Sequence, residues 1–262
     1  MPVTLLRPQC RPECRGWLPR PASGLLAGIL SCAMALAGMP AQAADPGVAF
    51  SAGKPGGPLP AGWENKPVVH GKALTVYTLV ADQGNTVLQA DANGAASGLI
   101  HEGDVDLART PVVKWRWKVA APIPNADNRV GDREDAPARL VFFFEGESSN
   151  LSFGDRAESL AASAVGEKLP YATLMYIWTD SAPPGTVIAN PHTSRVQMIV
   201  VSGASGDAGK WQTLRRNVSA DFQRVFHEKP GKLVGYGLMT DTDNTGAIAR
   251  AWYGDLRFKP AP

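Results

Sequence analysis

The fold is decided by the stretch Val113-Lys114-Trp115-Arg116-Trp117-Lys118-Val119, in which apolar and charged residues alternate strictly. Successive side chains of a β-strand point to opposite faces of a sheet, so the tryptophans and valines share one face and the three cations share the other. The tryptophans could form an exposed platform on which sugar rings stack. Their valine neighbours favour the alternative, a core-facing pair with the cations in solvent.

Runs with the same alternation fill most of the chain after residue 70 and are separated by turn residues. Two short surface helices interrupt them, one beginning near Asp155 and one at Ser219. This pattern predicts a mostly β fold, a two-sheet antiparallel β-sandwich that is jelly-roll-like and carries one or two short surface helices. The predicted strands are Leu74–Val80, Thr86–Ala90, Ser97–Val105, Pro111–Val119, Arg139–Glu145, Thr173–Thr179, Arg195–Ser202, Gln212–Asn217, Leu233–Thr240 and Ala249–Phe258.

The first 43 residues have the layout of a secretory signal peptide. Four arginines precede an apolar run from Gly24 to Gly38, and Ala41-Gln42-Ala43 forms a small-x-small cleavage site. The run is too short for a membrane-spanning helix. We therefore expect cleavage near Ala43, a periplasmic or secreted protein, a single domain over residues 44–262 and no transmembrane segment in the mature chain. A lipid anchor at Cys32 is the alternative.

Cleavage would change both the cysteine count and the net charge. All three cysteines lie within the first 43 residues, so a mature chain would have no disulfide, no zinc–thiolate site and no cysteine nucleophile. Of the 26 basic residues 4, and of the 24 acidic residues 1, lie in the same segment, which leaves 22 and 23. A net charge of about −1 gives no electrostatic basis for binding nucleic acid.

An acidic stretch precedes the strand that begins at Arg139 and contains Asp127, Asp132, Glu134 and Asp135. Clustered loop carboxylates can ligate a hard cation or act as an acid/base pair, although many such loops are simply solvated. Arg139 is placed to form an ion pair with one of these carboxylates.

The most specific short motif is Thr240-Asp241-Thr242-Asp243-Asn244-Thr245-Gly246. Oxygen-bearing side chains at alternating positions before a glycine resemble the first half of a calcium loop. Trp252 stands where an EF-hand needs glutamate, so the motif is not an EF-hand. We expect Asp241 and Asp243 to be candidate ligands for Ca²⁺. The alternative is a β-hairpin turn in which Asp and Asn bond their own backbone.

Ordered motifs from Trp115 to Phe258 resemble the bacterial secreted domain-of-unknown-function family 3047. Its acidic loop usually contains a Gly-Asp-Asp run, where this chain has Gly131-Asp132-Arg133-Glu134-Asp135. The resemblance implies a β-sandwich and implies no activity. The motifs include Trp115-Arg116-Trp117, Ala138-Arg139-Leu140-Val141-Phe142, Tyr176-Ile177-Trp178, Val200-Val201-Ser202-Gly203, Arg216-Asn217-Val218, Met239-Thr240-Asp241-Thr242-Asp243-Asn244-Thr245-Gly246 and Trp252-Tyr253-Gly254-Asp255.

These features favour an exported soluble binding module for carbohydrate or cell-envelope glycan over an enzyme. The alternative is a hydrolase or lyase of the same fold, in which Asp241 or Asp243 pairs with a loop carboxylate such as Asp135. A third interpretation is a structural envelope protein with no small ligand. The candidate ligand-binding residues are Asp135, Arg139, Arg195, Asp241, Asp243 and Asn244.

Overall fold

The computed structural model describes residues 46–68, 71–164, 169–204 and 206–262, so the predicted signal peptide lies outside the described residues. The described helices are α1, Phe153–Ala164, and α2, Val218–Phe226, with short 3₁₀ turns at Phe50–Ala52, Gly131–Arg133 and Ser148–Asn150. The described strands are β1 Gly47–Val48, β2 Trp63–Pro67, β3 Val76–Asp82, β4 Asn85–Asn93, β5 Ser97–Val105, β6 Val112–Val119, β7 Ala138–Phe144, β8 Ala172–Trp178, β9 Val187–Ala189, β10 Val196–Ser202, β11 Gln212–Asn217, β12 Leu233–Met239, β13 Ile248–Tyr253 and β14 Leu256–Lys259.

The described strands form two stacked sheets. Sheet B has the order β2-β5-β12-β7-β8-β10-β9. In sheet A, β6 pairs along one edge with β13 and β14 and along the other with β11, while β4 pairs with β13 and β3 with β4. The short β1 pairs with β14. The chain crosses repeatedly between the sheets, for example at β5–β6, β6–β7, β10–β11 and β12–β13, and this confirms the predicted jelly-roll-like β-sandwich.

Three features depart from the predicted strands. Every pairing between the described strands is antiparallel except that of β8 with β10, which is parallel. The run Ala249–Phe258 divides into β13 and β14, because one extra residue lies between Tyr253, which is opposite Trp117, and Arg257, which is opposite Lys114. Strands β1, β2 and β9 lack the alternation that predicted the others, since they are short or border turns.

The core lies between the inner faces of the sheets, and strand β6 supplies its largest side chains. Trp115 is 3% exposed and Trp117 is fully buried, which confirms the core-facing prediction and excludes a sugar-stacking platform at these positions. Trp115 stacks on Tyr176 of β8, with ring centroids 5.4 Å apart. The indole N–H of Trp117 donates to Ser202 Oγ at 3.0 Å, so each tryptophan joins the two sheets.

The two helices differ in how they pack. Helix α2 is capped by the Asn217 side chain, which accepts from the Ala220 N–H at 3.0 Å, and its Phe222 packs on Phe144. Helix α1 begins two residues before the predicted start, because the Ser152 hydroxyl caps it and accepts from the Asp155 N–H at 3.1 Å. Phe153 and Leu160 of α1 are exposed. Among the described residues, no helix is long and apolar enough to cross a membrane.

Candidate functional site

Asp241 and Asp243 lie in residues 240–247, which carry the chain from β12 in sheet B to β13 in sheet A. The alternative interpretation of this segment as a β-hairpin turn is therefore wrong, because the strands it would join belong to different sheets. Two buried threonines anchor the crossing. The Thr240 hydroxyl donates to the Pro137 carbonyl at 2.9 Å, and the Thr242 N–H donates to the Ala95 carbonyl at 2.9 Å.

Asp241 is bound by Arg139, which is 2% exposed at the start of β7. Arg139 donates from Nε to Asp241 Oδ1 and from Nη2 to Asp241 Oδ2, and both distances are 2.7 Å. Its Nη1 donates to Glu134 Oε1 at 2.7 Å, which confirms the predicted ion pair with the acidic stretch. One guanidinium therefore holds two carboxylates with the bidentate geometry that arginine favours.

Burial disfavours the charged forms of both Arg139 and Asp241, and their ion pair offsets this desolvation cost. Burial raises the pKa of Asp241 to about 7, although the Arg139 guanidinium acts in the opposite direction. Burial by itself would lower the pKa of Arg139, but Asp241 and Glu134 raise it above its usual value. Arg139 is therefore charged at every physiological pH, and its loss would leave Asp241 buried without a counter-charge.

Asp135 is fully buried and holds the crossing segment against the acidic loop. Its Oδ2 accepts from the Thr245 N–H at 2.7 Å and from the Thr245 hydroxyl at 2.6 Å. Its Oδ1 accepts from the main-chain N–H of Asn244 at 3.2 Å. Asn244 thus meets Asp135 through its backbone, and the residue itself is exposed.

The two predicted metal ligands converge with a third carboxylate. Asp135, Asp241 and Asp243 each offer an oxygen, and the three oxygens lie within 4.8 Å of one another. Asp241 uses both oxygens to accept from Arg139, whereas the one cation paired with Asp243 among the described residues is Lys72, whose Nζ lies 3.7 Å away. Burial and then the neighbouring Asp135 raise the pKa of Asp243, while Lys72 opposes the shift. Asp243 is therefore the carboxylate of the three with the most lone pairs left for a cation.

A cleft of about 330 Å³ opens on the outer face of sheet B and brings three of the predicted residues together, Arg139, Asp241 and Arg195. Asp135, Asp243 and Asn244 do not line it. Its floor is apolar, because β7 and β8 carry apolar side chains on both faces. The floor and walls include Ile100, Val141, Phe143, Leu151, Met175, Val196 and Met239.

Each end of the cleft is polar. At one end Glu134 stands beside Arg139 and accepts from Asn190 Nδ2 at 3.1 Å through Oε2. At the other end Arg195 donates to the Tyr171 carbonyl at 2.9 Å and to Glu228 Oε1 at 3.1 Å. Its guanidinium also lies 4.2 Å from the centroid of the Tyr171 ring. Arg195 is therefore held in place by its neighbours and forms part of the wall of the cleft.

Asp155 lines the same end of the cleft from helix α1. It accepts from the hydroxyls of Ser152 at 2.6 Å, Ser194 at 2.8 Å and Thr193 at 3.2 Å. Burial alone would raise the pKa of Asp155, but these hydrogen bonds outweigh it and hold the pKa below its ordinary value. Asp155 is thus an ionised, fully engaged carboxylate at neutral pH.

Sequence reasoning did not assign Glu134, Asp155, Asn190 or Phe143 to a ligand site. One available indicator was the run Leu140-Val141-Phe142-Phe143-Phe144, which is apolar on both faces of its strand. A strand of this kind needs cover on its outer face as well as its inner face. Asn190 had no comparable indicator, because it reaches the cleft from the loop that follows β9.

A larger hollow, of about 620 Å³, lies between the end of β5 and the segment that follows α2. Its lining includes residues 104–108 and 229–233, and none of the predicted site residues is among them. The cleft on sheet B is therefore the better candidate for a functional site, since polar groups converge on it from several elements.

The model of the family described as "Protein of unknown function (DUF3047)" matches residues 61–257. The chain belongs to this family, as the motifs from Trp115 onward predicted. None of the curated proteins compared with the chain matches it.

Two solved structures share part of the chain path. Endoglucanase 3 of Trichoderma harzianum, from family GH12, is 7% identical over 77% of this chain and 86% of its own, with a TM-score of 0.39. The xyloglucanase domain of NopAA, a type three effector from Sinorhizobium fredii in complex with cellobiose, is 8% identical over 78% of this chain and 94% of its own, with a TM-score of 0.39. At these values neither structure bears on what this chain binds or does.

Proposed function

We propose that this member of the DUF3047 family is an exported binding module for a neutral glycan, and that its site is the cleft on the outer face of sheet B. The observation that carries the proposal is an apolar floor between two polar ends in a single cleft. A sugar ring has an apolar face of C–H groups and an edge of hydroxyls, so it matches both parts. The volume of about 330 Å³ lies near the lower end for small-ligand sites and suits a short saccharide.

The charges of the cleft favour a neutral ligand. Arg139 is neutralised by Asp241 and Glu134, and Arg195 is neutralised by Glu228. Neither guanidinium therefore has surplus charge to offer an acidic ligand. Glu134 and Asn190 can instead accept from and donate to hydroxyl groups at the rim, which is how a few placed polar groups orient a ligand on an apolar surface.

A binding role is better supported than hydrolysis. A glycosidase needs one carboxyl group that carries a proton and faces the glycosidic bond. Asp155 has a lowered pKa and three hydroxyl donors, so it is unsuited to that role. Asp241 has a raised pKa, but both of its oxygens face Arg139. Asp135 and Asp243 lie outside the cleft, so neither can pair with Asp241 across it.

The test is a screen of residues 44–262 on an array of neutral glycans, followed by calorimetric titration of the best saccharide. Phe143→Ala removes part of the apolar floor, and we expect binding weaker by tenfold or more, because burying a large apolar side chain contributes about 1.5–3 kcal/mol. Asn190→Ala should weaken binding about fivefold, since a net hydrogen bond is worth about 1 kcal/mol.

Lys114→Ala is the matched control, because Lys114 lies on the outer face of the opposite sheet. Its affinity for the neutral saccharide should equal that of the parent protein. Equal weakening by all three substitutions, or none by the cleft variants, would contradict the proposed site. Release of new reducing ends from the saccharide would favour the hydrolase instead.

Export is a separate part of the proposal and rests on the sequence of residues 1–43. We expect exported material to begin at or near Ala44, in the periplasm or outside the cell. Intact-mass measurement of protein recovered from those fractions tests this. A species that begins at an acylated Cys32 would replace a free module with a lipid-anchored one.

A further inference from the structure

Three exposed cations lie in one row across adjacent strands of sheet A. Lys114 of β6 is the direct partner of Arg215 on β11 and of Arg257 on β14. Directly opposed residues of antiparallel strands share a face, with Cβ atoms about 4.5–5.5 Å apart, and like charges in these positions destabilise a sheet. The fold therefore gains nothing from this row.

Among the described residues, a carboxylate pairs with only one of the three cations in the row. Arg257 donates to Asp255 Oδ2 at 3.2 Å. Within the described part of the chain, neither Lys114 nor Arg215 has a carboxylate partner. A general excess of positive charge does not explain this, because residues 44–262 carry 22 basic and 23 acidic residues. Lys114 and Arg215 are therefore left available to an outside anion.

A hollow of about 310 Å³ adjoins the row. Lys114, Arg116 and Arg257 line it together with the neutral Asn85 and Thr213. The Asp255 carboxylate also lines it and accepts from the Ser51 hydroxyl at 2.7 Å. Such a lining offers both charged and neutral donors to an anionic group. The hollow belongs to sheet A and shares no lining residue with the cleft on sheet B.

Indole rings lie among these cations. The Arg116 guanidinium is 4.6 Å from the centroid of the Trp211 ring, and Lys118 Nζ is 4.3 Å from that of Trp252. Both tryptophans are half-buried. Aromatic rings contact the apolar faces of sugars, and the cations beside them contact acidic substituents. Alternate residues of β6 are about 7 Å apart, so this arrangement extends along the strand as well as across it.

We propose that this surface, the basic face, binds an acidic polysaccharide, a linear glycan with repeated anionic groups. It is defined by Lys114, Arg116, Arg215, Arg257 and Trp211. Its charge complements a chain of carboxylates, and its breadth over three strands suits a polymer. The proposal is independent of the neutral-glycan cleft, because the two surfaces lie on the outer faces of different sheets.

The test titrates residues 44–262 with polygalacturonate fragments at low and high salt, with dextran of matched length as the neutral comparison. We expect binding to polygalacturonate that weakens as salt rises, and none to dextran. The double variant Lys114→Gln/Arg215→Gln should bind about three- to tenfold more weakly, because each exposed ion pair contributes a factor of roughly 1.4 to 5. Chondroitin sulfate and phosphorylated dextran show whether carboxylate, sulfate or phosphate is preferred.

The control Lys229→Gln/Lys232→Gln removes the same charge from a different surface and should bind like the parent. Equal weakening by both double variants would overturn the proposal, because it would indicate unspecific attraction. Single-stranded DNA that binds as tightly as polygalacturonate would also overturn it. The basic-face variant should melt at the parent temperature or higher, and a lower melting temperature would assign the row a structural role. The affinity of the basic-face variant for a neutral saccharide is measured as well. If that affinity equals the parent's, the cleft on sheet B is intact and the result concerns the basic face alone.

Discussion

The outer faces of the two sheets differ in the side chains that they carry and in what covers them. Strand β7 of sheet B points Arg139, Val141 and Phe143 away from the core, and they line a cleft. Strand β6 of sheet A points Lys114, Arg116 and Lys118 away from the core, and Lys114 is exposed. The inner faces of both strands are apolar and fully used in the core. The two sheets therefore differ in the residues of their outer faces and not in those of their inner faces.

The cations of the two faces differ most in their partners. Arg139 has two carboxylates and almost no solvent exposure, while Lys114 is exposed among other cations. A buried charge must be matched by the protein itself, whereas an exposed charge can be matched by a ligand. The comparison teaches that an arginine next to an acidic loop, such as Arg139, can stabilise the fold. Exposed cations without carboxylate partners, such as Lys114, are instead available to a ligand.

The inner face of β6 gives the largest expected effect. Trp117→Ala should lower the free energy of unfolding by about 3–5 kcal/mol, because it empties a large core volume. It also removes the donor to Ser202 that joins the sheets. Lys114→Ala, on the outer face of the same strand, should change the free energy of unfolding by no more than about 0.5 kcal/mol. Urea denaturation of both variants measures the difference, and similar losses would mean that β6 does not separate core from surface.

The second prediction compares two arginine-to-methionine substitutions. Arg139→Met leaves Asp241 buried beside Glu134 without a counter-charge and should cost about 3–5 kcal/mol of stability. Arg215→Met removes a cation from the basic face, has no carboxylate partner to leave behind, and should be within about 0.5 kcal/mol of the parent. Guanidinium denaturation tests both. If Arg139→Met were harmless, the matched-charge interpretation of sheet B would be wrong.

The third prediction concerns Ca²⁺ at Asp135, Asp241 and Asp243, which stays untested. A ligand at one hundred times its dissociation constant adds about 2.7 kcal/mol to a folded state that alone binds it. At about 2–4 °C per kcal/mol, millimolar Ca²⁺ should raise the melting temperature by roughly 5–11 °C over chelator-treated protein. The shift should vanish in Asp243→Ala, which keeps the Arg139–Asp241 pair intact. An unchanged parent melt would leave all three carboxylates with protein partners only.

The sequence was sufficient for the strands because alternation is a local property. Ser97–Val105 and Gln212–Asn217 have the predicted bounds, and Val112–Val119 differs by one residue. The pairing of β8 with β10 was not predictable from alternation, since a strand looks the same whether its neighbour runs parallel or antiparallel. The division of the last run into β13 and β14 depends on its register against β6, a strand distant in sequence.

The candidate site was only partly predictable for the same reason. Residue types and the neighbouring acidic stretch indicated that Arg139 would form an ion pair. They could not indicate that Asp241 would be its second partner, because that contact joins residues 102 positions apart. Nor could they show that Asp135 would be consumed by Thr245 and kept out of the cleft. Long-range contacts of this kind are set by the crossing of the chain between sheets.

The smallest expected effect concerns the ion pair of Lys118 and Asp82. It lies on the outer face of sheet A, yet its cation has a carboxylate partner, as the arginines of the cleft on sheet B do. Asp82 accepts from Lys118 Nζ at 2.7 Å and from the Trp211 indole N–H at 2.6 Å. The hydrogen bond from Lys118, although burial opposes it, holds the pKa of Asp82 below its ordinary value of 3.8. The folded state therefore binds the Asp82 proton less readily than the unfolded state does.

The sign of the pH dependence follows from that direction. The contribution of Asp82 is fully present above its unfolded pKa and is lost as the pH falls through its lower folded pKa. At pH 7 we expect Asp82→Asn to be about 1 kcal/mol less stable than the parent, a magnitude typical of a well-formed ion pair near the surface. Urea denaturation from pH 7 to pH 2 should show this difference closing below about pH 4. Asp132→Asn, which changes an exposed acidic residue, should show no such difference at any pH. A difference that persists unchanged at pH 2 would mean that Asp82 acts through its shape and its bond to Trp211, so that Lys118 belongs with the unmatched cations of the basic face.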